Sequence, residues 1–134
     1  MSNSRRVLLG TLFATLALLF LVTATTMAQD VTTVPGGKET HTVVLDNAHV
    51  RVLDVRLPPG QIVAMHSHPA NVTYYVTDAK FKVTTPDGKT VVREAKAGEV
   101  RWSEATTHAV ENVGSNEVHL IQTELKDESA PAKK

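Results

Sequence analysis

Residues 49–69 read HVRVLDVRLPPGQIVAMHSHP, and the alternation within them points to an all-β chain. Successive side chains of a strand face opposite ways. In HVRVLDVRL, Val50, Val52 and Asp54 therefore share one face, and Arg51, Leu53, Val55 and Leu57 share the other. Leu53, Val55 and Leu57 define the core side, with Asp54 and Arg56 toward solvent. Pro58 and Pro59 lack the amide donors that a ladder needs, so the strand stops at Pro58-Pro59-Gly60. QIVAMHSH then begins a second strand, with His66 and His68 at i and i+2 on one face and Met65 and Ser67 on the other. Their side chains are rooted roughly 7 Å apart. That spacing suits two imidazoles closing on one cation with metal–nitrogen bonds of about 2.1 Å. A surface pair without a ligand has the same spacing, so the pair alone leaves both readings open.

The same pattern extends in both directions. HTVVLDN lies upstream; NVTYYVT, KFKVTT, TVVREA, EVRWSE, HAVENV and EVHLIQTEL follow. Most are rich in Val, Ile, Thr or aromatic residues, and turn signals separate them. Pro86-Asp87-Gly88 reads as a hairpin turn. No segment after the first 28 residues sustains a helical period. About nine short strands at this spacing predict a sandwich or barrel. A chain this short with no cysteine needs a closed or double-sheet arrangement to bury enough apolar surface.

The ends have a different composition. Residues 1–28 carry Arg5 and Arg6, an apolar run from Val7 to Val22, and small residues at Thr26 and Ala28, the pattern of an export signal. An uncleaved membrane anchor is the alternative, but the run is shorter than the ~20 residues that span comfortably. SRRVLLG resembles a twin-arginine signal, and Sec export fits as well. Either route predicts a periplasmic or secreted protein that meets the membrane only through an uncleaved signal. Residues 29–40 read as a flexible arm, 41–125 as one barrel domain and 126–134 as a flexible tail.

The 134 residues contain 14 basic and 14 acidic side chains, and from Gln29 onward the balance is 12 to 14. Nothing in that balance favours nucleic acid or an anionic membrane. The absence of cysteine excludes disulfides, thiolate ligands, a cysteine nucleophile and a cysteine-linked lipid anchor. Neither a Ser-His-Asp nucleophile arrangement nor a Gly-rich phosphate loop is visible.

A third histidine follows the pair by forty residues, in Gly98-EVRWSEATT-His108-AVE-Asn112. Only a chain that returns on itself brings it near. Together the two segments resemble the cupin superfamily, whose motifs are written G-x5-H-x-H-x(3,4)-E-x6-G and G-x5-P-x-G-x2-H-x3-N. Gly60, His66 and His68 match the first; His108 and Asn112, followed by Val113-Gly114, match the end of the second. The resemblance covers about residues 42–125 and implies a double-stranded β-helix, a jelly-roll-like barrel preceded here by a signal helix. It also implies that His66, His68 and His108 hold a divalent metal. Aligned on Tyr75-Val76-Thr77-Asp78-Ala79, Val72 stands where the family places its metal-binding Glu, and neither Asn71 nor Thr73 is a carboxylate. Ala79 replaces the closing Gly, Ser103-Glu104-Ala105 replaces Pro-x-Gly, and Gly98 falls one residue late.

Three neutral imidazoles leave a dication at its full charge, with positions open to anionic or bidentate ligands. Within the cupins this ligand set resembles the thiol and diketone-cleaving dioxygenases, which implies Fe2+ first, with Zn2+, Cu2+, Mn2+ and Ni2+ as alternatives. The expected function is a dioxygenase-like oxidoreductase on a small molecule. The rivals are a non-catalytic metal- or ligand-binding module and a barrel that has lost its metal. Under this alignment Tyr74 shares the inward face and is placed to orient a substrate, while Tyr75 faces outward. Glu104, in the loop before His108, is a candidate acid–base group or stand-in carboxylate; a solvated loop residue is its plainer reading. Trp102 packs in the core or at the rim, and Asn112 braces a turn or strand. His41, His49 and His119 lack a partner at ligand spacing and read as surface or core residues. HTVVLDN is a candidate edge strand for a homodimer.

Overall fold

The computed structural model describes residues 29–127. The predicted export signal and the last seven residues of the predicted tail lie outside them. All nine expected strands form: β1 (His41–Asp46), β2 (Val50–Leu57), β3 (Ile62–His68), β4 (Asn71–Tyr75), β5 (Ala79–Thr84), β6 (Thr90–Ala95), β7 (Val100–Ser103), β8 (Thr106–Asn112) and β9 (Val118–Leu125). Among the described residues the helical structure is one 3-10 turn, Val31–Thr33. The strands make two antiparallel sheets, one in the order β1-β2-β9-β4-β7 and the other β3-β8-β5-β6.

The turn signals do what their chemistry dictates. Gln61 N–H donates to the Pro58 carbonyl at 3.0 Å, and Gly60 between them has φ +78°. Proline at the second position and a positive-φ glycine at the third form the pattern of a type II turn. This turn carries the chain from β2 in one sheet to β3 in the other. Gly88, at φ +81°, closes the β5–β6 hairpin, with its amide donating to the Thr85 carbonyl at 2.8 Å.

The core lies between the sheets. Leu53, Val55 and Leu57 of β2 are buried as the alternation predicts, with Val118 and Leu120 of β9 and Val63 of β3. Arg56 lies on the opposite, exposed face, and Asp54 is partly exposed.

Residues 29–40 depart from the expected flexible arm. Val31 is 0% exposed and Val34 3%, both within the core. The segment also covers the free side of β3: Ser67 N–H donates to the Gln29 carbonyl and Ala64 N–H to the Pro35 carbonyl. The polar, Gly/Pro-containing composition suggested a loose end, but two valines and an open sheet edge supply the burial and hydrogen bonds that order it. β1 is the outer strand of the five-stranded sheet, as expected, with Val43, Val44 and Leu45 exposed.

One irregularity decides where the histidines point. Val63 pairs with Val110, and His66 pairs with His108, so β3 advances three residues while β8 advances two. This bulge shifts the alternation. Val63 faces inward, and an unbroken strand would bring Met65 and Ser67 in behind it. The extra residue turns in His66 and His68 instead, at 1% and 5% exposure.

Candidate metal centre

His66 and His68 sit on β3, and His108 lies directly across from His66 on β8. The rings of His66 and His68 are 4.7 Å apart between centroids, His66 and His108 4.8 Å, and His68 and His108 5.5 Å. One nitrogen from each lies within 4.8 Å of the others. The expected trio is therefore brought together in one place.

The hydrogen bonds around the pair fix which nitrogen is free. His66 Nδ1 lies 2.7 Å from the Ala64 carbonyl, which can only accept, so Nδ1 carries the proton. His68 Nδ1 lies 2.6 Å from Glu124 Oε1 and donates in the same way. Both Nε2 atoms are then lone-pair acceptors, yet they stand 2.9 Å apart. Two lone pairs at that distance repel unless a proton or a cation lies between them. Burial pushes the His66 pKa down to about 4, and the neighbouring His68 adds to this, so a proton on His66 Nε2 is disfavoured at neutral pH. Burial, followed by the charges of His66 and His68, pushes His108 down to about 3. Nitrogens about 2.1 Å from one cation stand about 3.0–3.4 Å apart. The donor set of the pair fits a divalent metal.

Glu124, on β9, was not singled out from the sequence. It is 1% exposed and holds His68 from behind while its Oε2 accepts from Arg51 Nε and Nη2, each at 2.6 Å. Arg51 in turn pairs with Asp30 of the N-terminal segment. Burial alone would raise the Glu124 pKa, but the hydrogen bonds from His68 and Arg51 hold it below the usual carboxylate range. A carboxylate behind a ligating imidazole fixes its tautomer and makes it a better donor. The Gln122 amide lies 2.9 Å from the same Nδ1. Because that proton goes to Glu124, the amide oxygen is the end that suits this position.

His41 is the other residue that spacing missed. It lies on β1, 9% exposed, with its ring centroid 6.2 Å from His66 and 6.3 Å from His68. Two imidazoles bound at neighbouring positions on one metal have centroids about 4.5–5.5 Å apart, so His41 stands one layer farther out. Its Nδ1 lies 2.9 Å from Thr40 Oγ1 and 3.2 Å from the Gly37 carbonyl. That places the proton on Nδ1 and leaves Nε2 as an acceptor. Burial, then His68 and His66, pushes its pKa down to about 4. His119, by contrast, pairs with Asp54 at 3.2 Å, and His49 occupies the turn between β1 and β2.

A cavity of about 450 Å³ lies against the three histidines, with His41 in its wall. Val55, Leu57, Phe81, Val83, Val110 and Leu120 supply its apolar lining. The two tyrosines are reversed from the sequence expectation. Tyr74 is 46% exposed and outside the cavity, while Tyr75 lines it. The register explains this, because Asn71 and Thr73 of β4 are buried, opposite Glu124 and Gln122 of β9. The inward set is thus Asn71, Thr73 and Tyr75. Thr73, not Val72, occupies the inward place, and the position still lacks a carboxylate. Glu104 lies exposed at the cavity rim and accepts from Trp102 Nε1 at 2.7 Å. Trp102 is 53% exposed at the same rim. Asn112 is 1% exposed and is a brace, donating to the Leu57 carbonyl at 2.8 Å and the Asn116 carbonyl at 2.9 Å.

No protein-family model matches the chain. It is 35% identical over 89 residues to the β-alanine degradation protein BauB of Pseudomonas aeruginosa, covering 63% of this chain and 90% of that protein. A cupin domain from Bordetella pertussis superposes with a TM-score of 0.60 at 29% identity, over 65% of this chain and 92% of that one. An RmlC-like cupin with a double-stranded β-helix fold from Methanocaldococcus jannaschii superposes with a TM-score of 0.52 at 14% identity, over 63% and 77%. With the two-sheet fold and the strand-borne histidines, these relationships establish that the chain belongs to the cupin superfamily.

Proposed function

We propose that this cupin is a metal-dependent oxidoreductase of the three-histidine, dioxygenase-like kind, acting on a small molecule, with Fe2+ as the favoured metal. The observation that carries the reading is the facing pair of Nε2 lone pairs beside a cavity large enough for a small substrate. A metal held there would supply Lewis-acid chemistry and, as iron, oxygen-activating chemistry at its open positions. His66, His68 and His108 hold it, and Glu124 and the Ala64 carbonyl keep two of the three rings in the binding tautomer. Thr73, at the inward place on β4, carries no charge, so no carboxylate there would reduce the charge of the bound ion. The apolar walls limit water around the reacting atoms, and His41 Nε2 offers an acceptor to a bound molecule. The name of the Pseudomonas relative, a protein of β-alanine degradation, is consistent with breakdown of a small organic compound.

The test is metal analysis of the purified chain beside His68→Ala, followed by oxygen-uptake assays on thiols and diketones with the iron-loaded protein. One bound metal in wild type and a loss in the variant is expected. Equal metal content in the two removes the site. Full metal with no turnover on any candidate leaves a non-catalytic binding module, which uses the same three imidazoles.

Residues 1–28 complete the proposal as a cleaved export signal. Amino-terminal sequencing of protein recovered from the periplasm or medium should begin at Gln29, and intact Met1 in that fraction counts against cleavage.

A further inference from the structure

Ten lysine and arginine side chains lie among residues 29–127, and nine of them have a carboxylate within 4.0 Å. The tenth is Arg93. Its guanidinium has no ion pair or side-chain hydrogen bond among the described residues, and it lines the cavity beside the three histidines.

Its position follows from the alternation of β6. Val91, Arg93 and Ala95 share one face and line the cavity, with Val91 opposite Val83 and Arg93 opposite Phe81, both of them cavity residues too. Glu94, on the other face, is tied to Lys80 at 2.9 Å. Arg93 is exposed and stands between Val91 and Ala95 on the cavity face; unlike the other nine cations it has no acid among the described residues, so its charge is available to a molecule that enters the cavity. The nearby Arg101 does not play this part. Its Nε and Nη2 both reach Glu99, Nη2 also donates to the Glu94 carbonyl at 2.7 Å, and the group lies over the Tyr75 ring. Arg93 also acts electrostatically on both Tyr75 and His108, which line the same cavity.

We propose that Arg93 is the anion anchor of the cavity, and that the substrate class is a small carboxylic acid whose carboxylate pairs with the guanidinium while its other end faces the three histidines. This rests on the reading of the cavity as a substrate site and adds its specificity. An arginine recognises a carboxylate through parallel N–H donors and thereby sets orientation as well as charge. Among the described residues no carboxylate lies within ion-pair distance of it, and the two that line the same cavity have other partners. Glu104 is committed to Trp102 across the rim, and Glu94 to Lys80.

The experiment titrates malonate and its neutral isostere malonamide into wild type, Arg93→Gln and Arg93→Lys by calorimetry, in metal-loaded and chelator-treated protein, with metal content measured for each sample. Malonate is expected to bind wild type and to weaken roughly tenfold to a hundredfold in Arg93→Gln, the loss of a charge-assisted pair. Arg93→Lys should recover part of that loss. Malonamide should bind more weakly than malonate and equally to all three, and metal content should be the same in all. Equal malonate affinity in wild type and Arg93→Gln overturns the proposal, as does malonamide matching malonate in wild type. If no sample holds metal, the metal reading fails by itself, and the malonate comparison in chelator-treated protein still decides the role of Arg93.

Discussion

Replacing Glu124 by Gln tests whether the carboxylate behind His68 serves the metal site or only the fold. Glu124 Oε1 accepts from His68 Nδ1, and Oε2 accepts from Arg51. Gln has one acceptor oxygen, so one bond becomes neutral and an amide N–H₂ meets a donor at the other. A charge-assisted bond contributes about 1.5–3 kcal/mol and a neutral one about 0.5–1.5. The change should therefore cost about 2–3 kcal/mol of stability. The loss stays below the 3–5 kcal/mol or so of a fully stranded buried charge, because Arg51 keeps Asp30 as a partner. For a domain of this size that lowers Tm by roughly 10–20 °C. Metal affinity, measured by competition with a chromophoric chelator at a temperature where the variant is folded, should fall about tenfold to a hundredfold. Arg51→Lys is the control, since it should cost stability while leaving a cation beside Glu124 and the His68 bond intact. Its metal affinity should stay within about threefold of wild type. If Glu124→Gln loses stability but binds metal like wild type, Glu124 is structural only.

Acid should destabilise the metal-free protein. His41, His66 and His108 have pKa values pushed down to about 4, 4 and 3, below the ordinary 6.5. Between those values the unfolded chain binds more protons, so stability is present above pH 6.5 and is lost as pH falls toward 4. The slope is about 1.4 kcal/mol per pH unit for each such histidine, and urea midpoints at pH 7, 6 and 5 should fall in that order; a flat series contradicts it. Val31→Ala should cost about 2 kcal/mol, since Val31 is 0% exposed; an unchanged Tm means that residues 29–40 do not pack. Gly37→Ala should destabilise too, because its Cβ would sit 1.9 Å from the Val31 carbonyl oxygen and the backbone must shift. Tyr74→Ser should leave ligand affinity unchanged, while Tyr75→Ala, which removes a wall of the cavity, should change it; calorimetry with malonate reads both.

The strands were legible because alternation is a local property: each of the nine segments carries its own period and its own turn residues. The pair at His66 and His68 was legible for the same reason, and His108 through its motif. Direction was not. A bulge between Val63 and His66 shifts the parity of β3, and the β4–β9 register puts Thr73 and Tyr75 inside where alignment suggested Val72 and Tyr74. Neither leaves a mark in local composition, because each is set by what lies across the sheet. Glu124 contacts Arg51 across 73 residues and His68 across 56, and in EVHLIQTEL it looks like any strand glutamate. His41 enters the site only because β1 and the packed segment before it fold against β3. The sequence alone thus determined the all-β architecture and the three imidazoles. Tertiary structure decided which groups orient them, which histidine stands in the next layer, and that Arg93 is left without an acid. Charge compensation and side-chain direction depend on long-range neighbours, which no local pattern encodes.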